Sequence, residues 1–290
     1  VTRVVIFADD PDWHCRRLLA AFERRRASTS VVSLRRCGFE LGSHGTGVAI
    51  PGFETALPDM ALVRNIPNGS FEQVTFRLSI LHALRELGVP VVNDARAIER
   101  CVDKSMTSFL MHRAGIPTPQ TLASEDSERA ASWREAQAAE IVVKPLFGAQ
   151  GRGLARIAPG EPMPDAAGEP HKGVLYLQRY VGRERDWRDY RVFVAGGEAI
   201  AAMVRRGASW ITNVARGGLC EPAPCSGRLA ELAVAAAGAV GAGYCGVDLI
   251  EDESRGLVVL EVNSMPAWKG LQSVTAVDIA DRIAADVLER

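Results

Sequence analysis

Two short apolar runs, Val247-Asp248-Leu249-Ile250 and Val259-Leu260-Glu261-Val262-Asn263, flank the polar segment Asp252-Glu253-Ser254-Arg255-Gly256. Runs of this length, rich in branched residues and joined by a turn, predict an antiparallel hairpin. Centring it between Ser254 and Arg255 sets Asp248 opposite Glu261, and two-residue spacing puts Glu261 and Asn263 on one face. Carboxylates facing each other in apolar strands repel unless a cation neutralises them. Three converging oxygen donors suit Mg2+ bridging to phosphates. The bland alternative is a solvated acidic face, but Val247, Leu249, Leu260 and Val262 fit a half-buried sheet with one polar side.

A second pattern points the same way. Ile141-Val142-Val143-Lys144 runs through Pro145 into Leu146-Phe147-Gly148-Ala149-Gln150-Gly151-Arg152-Gly153, so a buried strand delivers a lysine to a glycine-rich loop. Glycines allow close backbone approach with outward N–H groups, and a lysine supplies a point charge to phosphate oxygens. The loop has neither the Gly-Lys-Ser/Thr ending of a P-loop nor the G-x-G-x-x-G of dinucleotide folds. Alone, it is equally compatible with a surface hairpin.

Earlier in the chain, Val4 to Ala8, Met60 to Val63 and Val89 to Val92 read as buried strands. Helical stripes follow the first two, over Trp13 to Arg26 and at Val74, Leu78, Leu81, Leu84 and Leu87. This alternation predicts an α/β N-terminal domain with a parallel sheet. Asp103 is a candidate N-cap of a connecting helix that Gly115 and Pro117 end. Strands near 141–144, 174–180, 190–194 and 199–204, a helix over 226–240, the hairpin and a C-terminal helix from Val274 then predict an α+β region with mainly antiparallel sheets. A net charge of -1 argues against nucleic acid or membrane partners held by bulk charge. Six cysteines without a C-x-x-C pair argue against a zinc framework. With no long apolar segment and no signal-like start, the expectation is a cytoplasmic protein.

Lys104, Lys144 with its glycine loop, Gln178-Arg179-Tyr180-Val181, Asp189-x-Arg191, Asn213-x-x-Arg216-Gly217-Gly218, Asp248 and Glu261-x-Asn263 occur in the order found in ATP-grasp enzymes. From about Asn93 onward the chain resembles the RimK-like branch, amino-acid ligases that mostly add glutamate to a protein terminus, a coenzyme or a carrier. The resemblance implies a pre-ATP-grasp domain over residues 1–95 and an ATP-grasp region over 96–290, with a central lid subdomain at 96–180 and a catalytic subdomain at 181–290. It implies that Lys104 and Lys144 hold ATP phosphates beneath Gly148, Gln150, Gly151 and Gly153, and that Gln178, Arg179, Tyr180 and Val181 form the adenine hinge. Asp189 would lie near the ribose, with Asn213 also at the nucleotide. Asp248, Glu261 and Asn263 match the family's ligands for Mg2+ or Mn2+, two ions in all. Arg191, Arg205 and Arg216 are the candidates for stabilising acyl-phosphate and oxyanion charge. Arg206, on the opposite strand face from Arg205, is expected to be structural.

The implied reaction is ATP-dependent amide formation between a carboxylate acceptor and an amino acid, L-glutamate first among candidates, with a homo-oligomer allowed. Where the ribosomal-protein branch carries Arg-Ser-Asn, this chain has Ile211-Thr212-Asn213, closer to the coenzyme- and carrier-modifying branches. A tetrahydromethanopterin-type coenzyme is the preferred acceptor, with Trp210 expected to stack on its ring. Ribosomal protein tails, a deazaflavin coenzyme and an amino-group carrier protein are the rivals. A nucleotide-binding regulator without activity and a dinucleotide-dependent oxidoreductase are readings of other classes. The complete acidic set argues against the first, and the missing G-x-G-x-x-G against the second.

Overall fold

The structure, a computed structural model, describes residues 1–42, 45–148, 151–166, 168, 170–182 and 186–290. The chain opens with β1 (Arg3–Phe7), α1 (Trp13–Arg24), β2 (Ser28–Val32), the small hairpin β3 (Gly38–Phe39) and β4 (Val48–Ala49), β5 (Met60–Val63), α2 (Phe71–Glu86) and β6 (Val91–Val92). Strands β2-β1-β5-β6 form a parallel sheet in that order. Both its faces are covered, so its central strands are apolar throughout. Val4, Ile6 and Leu62 pack on α1 and on the C-terminal part of the chain, while Val5, Phe7, Ala61 and Val63 pack beneath α2. Asp12 caps α1 by accepting from the Cys15 N–H, and Ser70 with Gln73 forms a capping box on α2.

Asp94 and Asp103 cap α3 (Ala95–Val102) and α4 (Lys104–Arg113). These helices fall within the segment assigned from sequence to the lid, yet Cys101, Met111 and Ile116 bury their side chains with the C-terminal sheet. Next come β7 (Thr121–Ser124), α5 (Ser127–Glu135), β8 (Ile141–Lys144), β9 (Ala155–Ile157) and β10 (Leu175–Arg179). Their antiparallel sheet runs β7-β10-β8-β9 and has a small core of its own around Ala130, Ile141, Val143 and Leu177.

The last sheet, ordered β13-β12-β11-β14-β15, is antiparallel and comprises β11 (Arg188–Ala195), β12 (Glu198–Arg206), β13 (Leu219–Pro222), β14 (Tyr244–Asp252) and β15 (Gly256–Asn263). Val192, Val194 and Ala202 meet the alanine-rich face of α6 (Gly227–Val240). On the opposite face Phe193, Ala201 and Met203 join the core shared with β1 and β5, which Trp268, α7 (Lys269–Gln272) and α8 (Ile279–Leu288) complete. The C-terminal helix thus begins five residues later than Val274. Asp278, whose carboxylate accepts from the Asp281 N–H, is its cap. Among the described residues no helix is long and apolar enough to cross a membrane.

Candidate active site

Strands of the second and third sheets line a cleft of about 1160 Å³, part of it open to solvent. On one side, Lys144 ends β8 and donates from Nζ to Gln178 Oε1 at 2.6 Å, while Gln178 Nε2 is held by Thr121 Oγ1 at 3.2 Å. Lys104, the first residue of α4, donates to the carbonyls of Gly148 at 2.9 Å and Leu146 at 3.3 Å, tethering the start of the glycine loop. Burial pushes the Lys104 ammonium below its ordinary value and that of Lys144 down to about 8, although Glu261 pulls both the other way.

The other side is a ladder of charges across four strands. Arg205 faces Asp189, Arg191 faces Asp248, and Asp248 faces Glu261. Arg191 grips Asp248 with two nitrogens, Nη2 to Oδ2 at 2.8 Å. Arg205 grips Asp189 likewise, Nε to Oδ1 at 2.8 Å, and reaches Asp248 Oδ1 at 3.1 Å. Burial alone would raise the Asp248 pKa, but the two guanidiniums outweigh it and hold the carboxyl at about 2. These four charges cancel; beyond them Lys104 and Lys144 stand near Glu261, and Arg152, Arg179, Asp186 and Arg188 also line the cleft.

The Asp248–Glu261 pairing is real, though the turn is not where sequence centring puts it. Asp252 pairs with Gly256 and Leu249 with Val259, which centres the turn on Ser254. A one-residue bulge at Leu260 then shifts the register so that Asp248 meets Glu261. Without the bulge Asp248 would face Leu260. The bulge also turns the consecutive residues Leu260 and Glu261 both toward the cleft, while Val259 and Val262 stay in the core.

Asp248, Glu261 and Asn263 all line the cleft. A carboxylate has about four lone-pair positions. The arginines take two on Asp248 Oδ1 and one on Oδ2, which leaves one. Asn263 Oδ1 accepts once, from the Met265 N–H at 3.0 Å, and Glu261 makes no hydrogen bond or ion pair among the described residues. The set therefore fits a hard cation with oxygen ligands that shares its remaining positions with phosphate oxygens.

Of the residues singled out from sequence, Lys104, Lys144, Gly148, Gly151, Gln178 to Val181, Asp189, Arg191, Arg205, Asn213, Asp248, Glu261 and Asn263 line this one cleft. Gln150 lies outside the described residues. Gly153 does not line the cleft; at φ +69° it packs where an added Cβ would sit 2.8 Å from Pro145 Cγ. Arg216 also stays out of the cleft. A turn over Val214–Arg216, closed by Gly217 at φ +89°, leaves its side chain exposed and donating to the Gly151 carbonyl at 3.4 Å. Trp210, expected to stack on an acceptor ring, also lines the cleft and meets Tyr180 edge-on at 6.2 Å. Arg206 does not itself line the cleft; it pairs with Glu221 and with Asp186 at the cleft's edge. Sequence reasoning missed the apolar lining of Val142, Ile250 and Leu260 and the contributions of Trp187 and Thr212. Ile250 was legible as the residue two beyond Asp248; Leu260 was hidden by the bulge.

Residues 101–287 match the model of the RimK-like ATP-grasp domain and residues 2–98 that of the RimK PreATP-grasp domain. The chain belongs to the RimK-like ATP-grasp family. As such it is an ATP-dependent carboxylate–amine ligase. Among similar proteins is the tetrahydromethanopterin:alpha-L-glutamate ligase of Methanosarcina acetivorans, 32% identical, the match covering 96% of each chain. Its counterpart in Methanococcus maripaludis is 37% identical over 79% of this chain and 78% of that one. The ATP-grasp ligase PsnB, solved with a minimal precursor, Mg and ADP, shares the RimK-like fold of this chain at TM-score 0.76 and 21% identity, covering 99% and 96% of the two chains.

Proposed function

We propose that this ligase adds L-glutamate to a carboxylate of a tetrahydromethanopterin-type coenzyme. The observation that carries the chemistry is the convergence of two half-buried lysines, the Asp248–Glu261–Asn263 oxygen set and the Gln178–Val181 segment on one cleft. Similarity to ligases of that name over 96% of the chain supports the substrates. In this reading residues 1–95 are the pre-ATP-grasp domain and 96–290 the ATP-grasp region. Lys104 and Lys144 hold ATP phosphates, with the glycine loop above them. The backbone of Gln178 to Val181 takes adenine against Val142, Ile250 and Leu260, and Asp189 and Asn213 stand at the nucleotide's rim. Two Mg2+ ions, replaceable by Mn2+, would be held by Asp248, Glu261 and Asn263 and would neutralise polyphosphate charge.

The γ-phosphoryl passes to an oxygen of the acceptor carboxylate, releasing ADP. The amine of glutamate then attacks the carbonyl carbon, the C–N bond forms, the C–O bond to phosphate breaks, and the amine loses a proton to solvent or a base. Arg191 and Arg205 stay locked on carboxylates, so their contribution is to hold Asp248 and Asp189 in fixed positions beside the reacting oxygens. Arg216 acts through Gly151, steadying the loop over the phosphates.

The test is ADP release by the purified protein with Mg2+, measured for each pairing of L-glutamate, L-aspartate or 2-aminoadipate with a tetrahydromethanopterin-type coenzyme, a deazaflavin coenzyme, a ribosomal protein tail or an amino-group carrier protein. Turnover with glutamate and the pterin coenzyme is expected. Turnover confined to another acceptor replaces the pterin assignment.

A further inference from the structure

The parallel sheet has one topological switch point. From β1 the chain moves outward to β2 and then returns to the other side as β5, so connections leave β1 and β5 in opposite directions. In open parallel sheets the crevice beyond the carboxyl ends of such a strand pair is where ligands bind. Arg64 stands at that place. It follows the last residue of β5, and its N–H and that of Asn65 both donate to the Phe7 carbonyl at the end of β1, at 2.9 and 3.2 Å.

The Arg64 side chain is 8% exposed and enters no ion pair among the described residues. Its guanidinium carbon lies 5.1 Å from the ring centre of Trp268, and both Arg64 Nε and Trp268 Nε1 are buried donors without an acceptor. The neutral Tyr244 hydroxyl is near enough to hydrogen-bond the guanidinium, but a buried cation beside a second unanswered N–H is costly unless an anion completes it. Asp12 is near enough for its charge to interact with Arg64, but its oxygens serve the Cys15 N–H and His14 Nδ1. The surroundings are fixed. Arg77, itself buried, donates to the Pro67 carbonyl at 2.8 Å, and Asn65 accepts from the Asp9 N–H.

The crevice adjoins the cleft. The Tyr244 hydroxyl donates to the Val63 carbonyl at 2.6 Å, tying the residue before Arg64 to the strand that carries Asp248. Trp268 lies five residues beyond Asn263, and Pro266 between them sits beside Arg191 at Gly246.

We propose that Arg64, with the Trp268 indole N–H, binds a carboxylate of the incoming amino acid in the crevice between β1 and β5. The inference rests on the glutamate reading above. Glutamate offers its amine to the acyl phosphate while carrying two carboxylates, and of the arginines lining the cleft Arg191 and Arg205 are already matched to Asp248 and Asp189, Arg179 to Asp252 and Arg188 to Glu251. A guanidinium with an indole donor beside it suits the planar geometry of such an anion.

The test is calorimetric titration of L-glutamate, L-glutamine and 4-aminobutyrate into the full chain loaded with Mg2+ and a non-hydrolysable ATP analogue, for wild type, Arg64→Met and Arg64→Lys. Arg64→Met is expected to weaken glutamate binding roughly 30-fold, and Arg64→Lys less, as expected for loss of a charged hydrogen bond. Affinity for the ATP analogue should be unchanged in both. One of the two analogues, whichever lacks the carboxylate held by Arg64, should be indifferent to the substitution. Should Arg64→Met fail to fold by circular dichroism, Arg64→Lys decides alone. Equal glutamate affinity in wild type and folded variants overturns the Arg64 site while leaving the ligase reading intact. Absence of glutamate binding in a wild type that binds the ATP analogue overturns the glutamate reading together with the Arg64 site.

Discussion

Lys144 offers a measurement in which the pH-independent consequences of a substitution cancel. Burial holds its ammonium at about 8, against an ordinary value of 10.5. Below pH 8 both the folded and the unfolded chain carry the charge, and the folded state bears the full cost of keeping it in the cleft. As pH rises from 8 to 10.5 the folded chain sheds its proton first, and the cost disappears. The gap corresponds to about 3 kcal/mol at neutral pH, at about 1.36 kcal/mol per unit, with about 1 kcal/mol left at pH 10. Part of the side chain is open to the cleft, so screening reduces the expected change between pH 7 and pH 10 to roughly 1–2 kcal/mol. Lys144→Met also loses the hydrogen bond to Gln178; the part of that loss that depends on the lysine's charge is already contained in its pKa, and the rest is the same at every pH. Urea denaturation of wild type and Lys144→Met at pH 7, 8.5 and 10 should show the stability difference moving in favour of wild type by this amount. A difference constant to within about 0.3 kcal/mol would refute a depressed Lys144. The same variant should lose the rise in Tm that Mg-ATP gives wild type, since that shift reports binding to the native state.

Other consequences are equally direct. Glu261→Gln should lower kcat by roughly 100-fold or more at ordinary Mg2+ with Tm nearly unchanged, because Glu261 makes no hydrogen bond or ion pair among the described residues; steady-state ADP release checks this, and full activity would remove Glu261 from the metal set. Gly151→Ala places a side chain at φ +67° and a Cβ 2.8 Å from Asn213 Oδ1 and Ile211 Cγ2. It should raise the KM for ATP or lower kcat by roughly tenfold with little loss of stability, and an unchanged kcat/KM would show that the loop has room there. For Asp248, whose carboxyl is held at about 2 against 3.8, the contribution to stability is complete above about pH 4 and is lost as pH falls toward 2. The wild-type advantage over Asp248→Asn should shrink by about 1 kcal/mol between pH 6 and pH 3 in urea titrations, and a constant advantage would contradict the arginine clamp.

Much of this architecture was legible in the sequence because strong patterns coincide with buried elements. Val4 to Phe7, Met60 to Val63 and Ile141 to Lys144 are strands because uninterrupted apolar runs suit sheets covered on both faces. Edge strands were harder to read. β2 begins Ser28-Thr29-Ser30, and β7, β9 and β13 are three or four residues long, so their pairing owes more to neighbours than to composition. The acidic pair was found although the centre of its turn was misplaced by half a residue, because the bulge at Leu260 compensates. A bulge has no signature in a single sequence, and for the same reason Leu260 went unnoticed as a cleft residue. The placement of Arg216 and Trp210 was hidden for another reason. Their positions depend on how the segment 207–218 folds over, with Gly218 so close to the Thr212 carbonyl that an added Cβ would collide with it.

The cores are divided unevenly, and this sets a hierarchy of local stability. The parallel sheet and the last antiparallel sheet share one buried cluster, from Val4 and Leu62 through Phe193 and Tyr244 to Ile283, so neither can be exposed without the other. The sheet that carries Lys144 and Gln178 keeps a small cluster to itself. It meets the remainder through a few polar ties such as Ser108 to the Tyr176 hydroxyl and Arg179 to Asp252. Amide hydrogens of β8 and β10 should therefore exchange through an opening that leaves β1, β11 and β14 protected, and nucleotide should slow that exchange selectively.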